Sequence, residues 1–142
     1  MASVPFHYID VRAFCYITED DRRVVTALRR FLPEEYELNR ATSEGHHGDR
    51  ILVYSARVEN ADDIRVVLAA LDELPDDERE QLRRERNERV SEDCSFFLTL
   101  DKQAAYGGSV QLGDGITLRG KVECYPATRE RALAALEEAG FP

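Results

Sequence analysis

The sequence predicts an α+β fold, one mostly antiparallel sheet with helices packed on a single face, in the order β-α-β-β-α-α-β-β-α. Three observations carry that expectation. Runs of strict two-residue alternation are separated by runs whose apolar residues recur every three or four positions. Glycine-rich turn signals join strand-like runs directly, as hairpins do, with few of the helical crossovers a parallel sheet needs. Finally, 142 residues, 43% of them apolar, supply one core, so residues 1–142 are read as a single domain.

The elements follow in order. Residues 7–17 place Ile9, Val11, Ala13, Cys15 and Ile17 on one face and Tyr8, Asp10, Arg12, Phe14 and Tyr16 on the other, which is a strand. Thr18 with Asp21 three positions on has the form of a capping box, and Val24, Val25, Leu28 and Leu32 make the inner stripe of a helix that must stop before Pro33. Strands over 36–42 and 50–59 flank Gly45-His46-His47-Gly48 as a hairpin. Asn60 caps the next helix, with Ile64, Val67, Leu68 and Leu71 facing inward. Residues 76–89 are almost wholly charged with Leu82 as the obvious anchor, a solvated helix or a loose excursion.

Strand character returns over 94–100, with Phe96 and Leu98 inside. Residues 101–108 read as an irregular or one-turn helical connection, 110–112 as a short strand and Gly113-Asp114-Gly115 as a turn. A long strand, 116–125, leads to Pro126 in the first turn of a closing helix whose Ala132, Leu133, Leu136 and Ala139 face the core.

Composition excludes several functions. No run approaches the roughly 20 apolar residues of a membrane span, and the opening MASVPFHYIDVRAF has no export signal, so the cytoplasm is the expected compartment. Cys15, Cys94 and Cys124 are odd in number and far apart; they read as small buried apolar residues and not as a disulfide framework or metal pair. The phosphate-cradling patterns G-x-x-x-x-G-K-[ST] and G-x-G-x-x-G, and the nucleophile pattern G-x-S-x-G, do not occur. The expectation is therefore no cofactor, no metal and no catalysis.

Charge is the most informative quantity. With 28 acidic against 19 basic residues the net charge is −9, unlike a nonspecific nucleic-acid clamp, and every basic residue except Lys102 and Lys121 is arginine. That balance resembles the proteins of halophilic archaea, or those of a GC-rich genome. In roughly 1 M salt the screening length falls to about 3 Å, so the self-repulsion of nine charges is quenched there.

If helices cover one face, function belongs on the other. Thr117, Arg119, Lys121, Glu123 and Tyr125 of the last strand and Tyr8, Arg12, Phe14 and Tyr16 of the first would interleave cations with rings there. Unpaired bases stack on rings while guanidinium groups meet phosphates. The same face equally suits a homodimer or docking interface, or cross-strand pairs that only stabilise the sheet. Two loops add polar groups: His46, His47 and Arg50 in the glycine-bent hairpin, and Lys102, Gln103 and Tyr106 after a strand end. The histidines have three uses: phosphate hydrogen bonding, metal binding, or acid–base hydrolysis of a phosphodiester with Asp49, Glu44 or Ser43. The first is favoured, because metal-ligand spacing is missing.

The strings FHYIDVRAFCYITED, SEGHHGDRILVYSARVEN, FFLTLDKQAAYGG and GDGITLRGKVECYPA resemble a family of small archaeal proteins described as predicted RNA-binding or exosome-associated, in its haloarchaeal branch. The resemblance implies a fold like that of the fifth large-subunit ribosomal protein. It implies RNA, expected to be single-stranded, as the ligand, and exosome or ribosome components as possible partners. Arg12, His46, His47, Arg50, Lys102, Gln103, Tyr106, Arg119 and Lys121 are the residues within these strings suited to contact RNA.

Overall fold

A computed structural model describes residues 4–45 and 48–141. The chain runs β1 (Phe6–Cys15), α1 (Asp21–Arg29), β2 (Asn39–Glu44), β3 (Arg50–Val58), α2 (Ala61–Leu71), α3 (Asp76–Arg84), α4 (Arg86–Arg89), β4 (Ser95–Asp101), α5 (Lys102–Tyr106), β5 (Gly115–Val122) and α6 (Arg129–Glu138). The five strands form one antiparallel sheet in the order β2-β3-β1-β5-β4, so the α+β expectation is met.

Alternation decides which face is buried. Ile9, Val11, Ala13 and Cys15 of β1, Leu52, Tyr54, Ala56 and Val58 of β3, Phe96, Leu98 and Leu100 of β4, and Ile116, Leu118 and Val122 of β5 all enter the core. They meet Val24, Ala27 and Leu28 of α1, Ile64, Val67 and Leu71 of α2, Leu82 of α3 and Ala132 and Leu136 of α6. A register shift between Phe6 and Tyr8 turns Phe6 inward while keeping Tyr8 outward. Phe6 lies on Gly120, where an added Cβ would come within 2.6 Å of the ring. Phe141, beyond α6, closes the layer edge-on against Phe6 at 5.3 Å and Phe96 at 5.0 Å.

Several local expectations are corrected. The cap of α1 is Asp20, whose carboxylate accepts from the Arg22 N–H at 2.9 Å, and not Thr18. Asn60 does cap α2, accepting from Asp62 N–H at 2.8 Å. Pro126 precedes α6 after a cis peptide bond, and Thr128 is the cap. Ala139 is exposed. Strand β5 ends at Val122 and β1 at Cys15, so Tyr16 and Tyr125 lie beyond the sheet. Residues 110–112 make only an isolated bridge, Leu112 to Leu100, and the Leu112 N–H, turned away from β4, donates to the Glu78 carboxylate at 2.6 Å.

The charged stretch is two helices and not a loose excursion. Leu82 is fully buried. Arginines tie the segment to the end of the chain: Arg86 donates to the Phe141 carbonyl at 2.7 Å, and Arg129 to the Val90 carbonyl at 3.0 Å. Cys15 and Cys94 are buried and Cys124 partly so; burial pushes the Cys15 and Cys94 thiols up, away from the reactive thiolate. No helix among the described residues is long and apolar enough to cross a membrane.

Leu82→Ala is expected to cost about 2–5 kcal/mol in urea unfolding, the range for truncating a fully buried leucine. A surface excursion would show almost no change.

Candidate nucleic-acid interface

The face opposite the helices is uncovered, and strand register sorts its side chains into cross-strand rows. One row is Asn39, Ser55, Arg12, Thr117 and Thr99; the next is Arg57, Asp10, Arg119 and Phe97. Beside the first, Ala41, Val53 and Phe14 make an apolar row. Beyond the second, Tyr8 faces Lys121. The sheet dips in the middle into an open concavity of about 660 Å³, walled by Arg12, Asn39, Ser55, Arg57, Phe97 and Arg119 among others.

The cations here differ in what already holds them. Arg57 forks onto Asp10, with Nε donating at 2.8 Å and Nη2 at 3.0 Å, and its guanidinium lies 4.0 Å from the Tyr8 ring centre. Arg119 reaches Asp93 at 3.3 Å, and Lys121 donates to the Asp93 carbonyl. Asp93 lies on the turn before β4 and spans this side of the patch. The Ser91 hydroxyl first, and the charges of Arg119 and Lys121 next, hold its carboxyl below the usual range. Arg12 is exposed, sits 5.5 Å from the Phe14 ring, and has no carboxylate within 4 Å among the described residues. Phe97 is 42% exposed, more than a residue in a finished core would be.

Arg12, Arg119 and Lys121 are therefore brought together on one face. The other sequence-derived candidates are elsewhere. The Lys102 ammonium donates to the Phe14 carbonyl at 2.9 Å and to Glu19 at 2.8 Å, with its side chain only 14% exposed, so it fastens the 16–20 loop to the end of β4. Tyr106 and Gln103 line a separate groove of about 560 Å³ between α1 and α5, where Arg23 stacks 5.4 Å from the Tyr106 ring centre. Arg50 stands at the exposed start of β3, beside Arg40, Asp20 and Asp21. His46 and His47, and with them the hydrolytic and metal readings of that loop, lie outside the described residues. Elsewhere among the described residues no three His, Cys, Asp or Glu side chains converge as a metal site would require.

Arg57, Phe97, Asn39 and Asp93 belong to the patch but were not singled out from sequence. Phe97 was accessible by alternation, since burying Phe96 and Leu98 turns it outward. Asp93 was not, because nothing local aims a turn residue at a strand two neighbours later in sequence.

Comparison with known proteins identifies the family. The RNA-binding family model matches residues 8–122, spanning every strand of the sheet. The chain belongs to that RNA-binding family. An RNA-binding protein of Pyrococcus abyssi, PAB1135, is 34% identical over 93% of this chain and 92% of its own. The DUF54 protein Mth689 of Methanothermobacter thermautotrophicus superposes with a TM-score of 0.79 at 33% identity, covering 94% of this chain and 97% of that one. AF2318 of Archaeglobus fulgidus, also DUF54, gives 0.84 at 26% identity over 94% and 99%.

The Asp93 carboxyl is expected to titrate below the ordinary aspartate value of about 3.9 when followed by carbon-13 NMR, and Ser91→Ala is expected to raise its midpoint. Because the folded value is the lower one, its contribution to stability is present above the unfolded pKa and is lost as pH falls through the folded pKa.

Proposed function

We propose that the protein binds single-stranded RNA across the open face of its sheet and performs no chemistry on it. The observation that carries this reading is the concavity in which Arg12, Arg57 and Arg119 stand with Phe97, on a chain of an RNA-binding family. Guanidinium groups there are set for phosphates, Phe97 and Tyr8 offer ring faces to bases, and Asn39, Ser55 and Thr117 offer hydrogen-bonding groups to base edges or ribose hydroxyls. A duplex would present its bases already stacked and paired, leaving the rings unused.

The charge balance favours stacking over electrostatic grip. Arg57 and Arg119 already have carboxylate partners, so phosphate contact at these positions must compete with Asp10 and Asp93. In the concentrated salt that we propose as the working medium, counterion release contributes little, whereas stacking, worth about 1–3 kcal/mol per base, persists. An accessory role in archaeal RNA degradation or ribosome-related processing, in the cytoplasm, is consistent with a small binding module that lacks its own reaction.

The test is fluorescence anisotropy with single-stranded and duplex RNA in about 2 M KCl. Arg12→Ala, Arg119→Ala and Phe97→Ala are each expected to weaken single-strand binding by about tenfold, and Tyr106→Ala in the separate groove to leave it unchanged. Full affinity in all three sheet variants would remove this surface. Loss on Tyr106→Ala alone would move the site to the groove between α1 and α5.

A further inference from the structure

The two edges of the sheet are finished differently. Along β4 each outward residue, Ser95, Phe97, Thr99 and Asp101, has at least one backbone group engaged. The Ser95 carbonyl accepts from Ser91 N–H at 2.9 Å, the Phe97 carbonyl from the Arg89 guanidinium at 3.3 Å and the Thr99 carbonyl from Gly113 N–H at 3.2 Å, while Asp101 N–H donates to the Gln111 carbonyl at 2.9 Å. That edge is closed to any further strand.

The β2 edge is open. Gly45 N–H donates to the Asp49 carbonyl at 2.6 Å, and the register runs from Asn39 opposite Ser55 to Glu44 opposite Arg50. Hydrogen-bonded pairs alternate in an antiparallel ladder, so residues 39, 41 and 43 turn their backbone groups to β3, while Arg40, Thr42 and Glu44 turn theirs outward. None of those outward groups meets a partner among the described residues. All six residues of β2 are exposed on both faces, so no helix overhangs this edge. It also lacks the lysine, proline or bulge with which proteins usually blunt a free strand.

The side chains of this edge complement themselves. Arg40 and Glu44 lie on the same face, equally spaced about Thr42, and neither has an ion-pair partner within 4 Å among the described residues. Laid antiparallel against itself about a two-fold axis through Thr42, the strand sets Arg40 opposite Glu44 of the second copy, twice, with Thr42 opposite Thr42. In that register all three outward residues fall at hydrogen-bonded positions. An offset by two residues would lose both Arg40–Glu44 pairs.

We propose that β2 is a self-pairing edge, joining two copies into one continuous ten-stranded sheet. The axis is perpendicular to the sheet, so both open faces lie on the same side and both helix layers on the other. Five strand spacings would then separate the two copies of β1, roughly 24 Å. A six-residue pairing buries less than the roughly 1,000 Å² of a stable interface, so the dimer exchanges readily with monomer. This inference is independent of the RNA reading.

Sedimentation equilibrium of the full chain up to about 1 mM, in about 0.15 M KCl, is expected to show monomer and dimer. Arg40→Glu and Glu44→Arg should each raise the dimer dissociation constant about tenfold, by setting like charges opposite each other, and the double variant should restore it. Thr42→Pro, which removes an outward donor and leaves the β2–β3 ladder intact, should abolish the dimer in about 2 M KCl as well, with circular dichroism confirming the fold. A wild-type protein monomeric throughout overturns the proposal. So does a dimer indifferent to the swaps and to Thr42→Pro; one broken instead by Phe14→Asp would use the open face.

Discussion

A sheet covered on only one side must bury every second residue of its inner strands and expose the rest, and this constraint shapes the whole molecule. In β1, β3, β4 and β5 the inward residues are almost all aliphatic or aromatic, and they form one core with the helices. The outward residues escape that demand. They are free to include Arg12, Arg57 and Arg119, which no packed interior would accept unpaired, beside Phe97. The position of this arginine-bearing surface is thus a consequence of how the core was built.

Electrostatics then set its character. A chain of net charge −9 has no general attraction for polyanions, yet the open face carries Arg12, Arg57, Arg119 and Lys121 against Asp10 and Asp93. The acidic residues of α3 sit at its N-terminal end and its arginines at the C-terminal end, favouring the helix dipole and leaving the open face undisturbed. Local excess of one sign on a protein of the other sign distinguishes this face from the rest of the surface.

Much of this was legible from spacing alone. The alternation in residues 7–17 announced the buried stripe as far as Cys15 and the outward Arg12 and Phe14, but not that Ile17, 65% exposed, lies beyond the strand; the same logic separated Arg119 and Lys121 from Leu118 and Val122. Legibility ended where tertiary contacts decide. Lys102 reads as an exposed cation beside a glycine-rich loop, but its ammonium donates hydrogen bonds to the carbonyl of Phe14, 88 residues earlier, and to Glu19. Tyr106 reads as a free ring, but Arg23 stacks on it in a different groove. The Thr18 and Pro126 helix starts failed because Asp20 and Thr128 offered better-placed oxygens two residues on. Competing caps of similar strength cannot be ranked without the backbone.

The strand made first lies in the middle of the finished sheet. β1 is flanked by β3 and β5, and its register with β5 matches Phe6 to Val122, so more than a hundred residues must leave the ribosome before its second side is filled. Throughout that interval its stripe of Ile9, Val11, Ala13 and Cys15 is an adhesive ribbon with one raw margin, the kind of segment that seeds aggregates. Asp10 and Arg12, interleaved with that stripe, interrupt it with opposite charges and so act as gatekeepers for the nascent chain. The guanidinium left exposed in the mature molecule thereby protects the unfinished one.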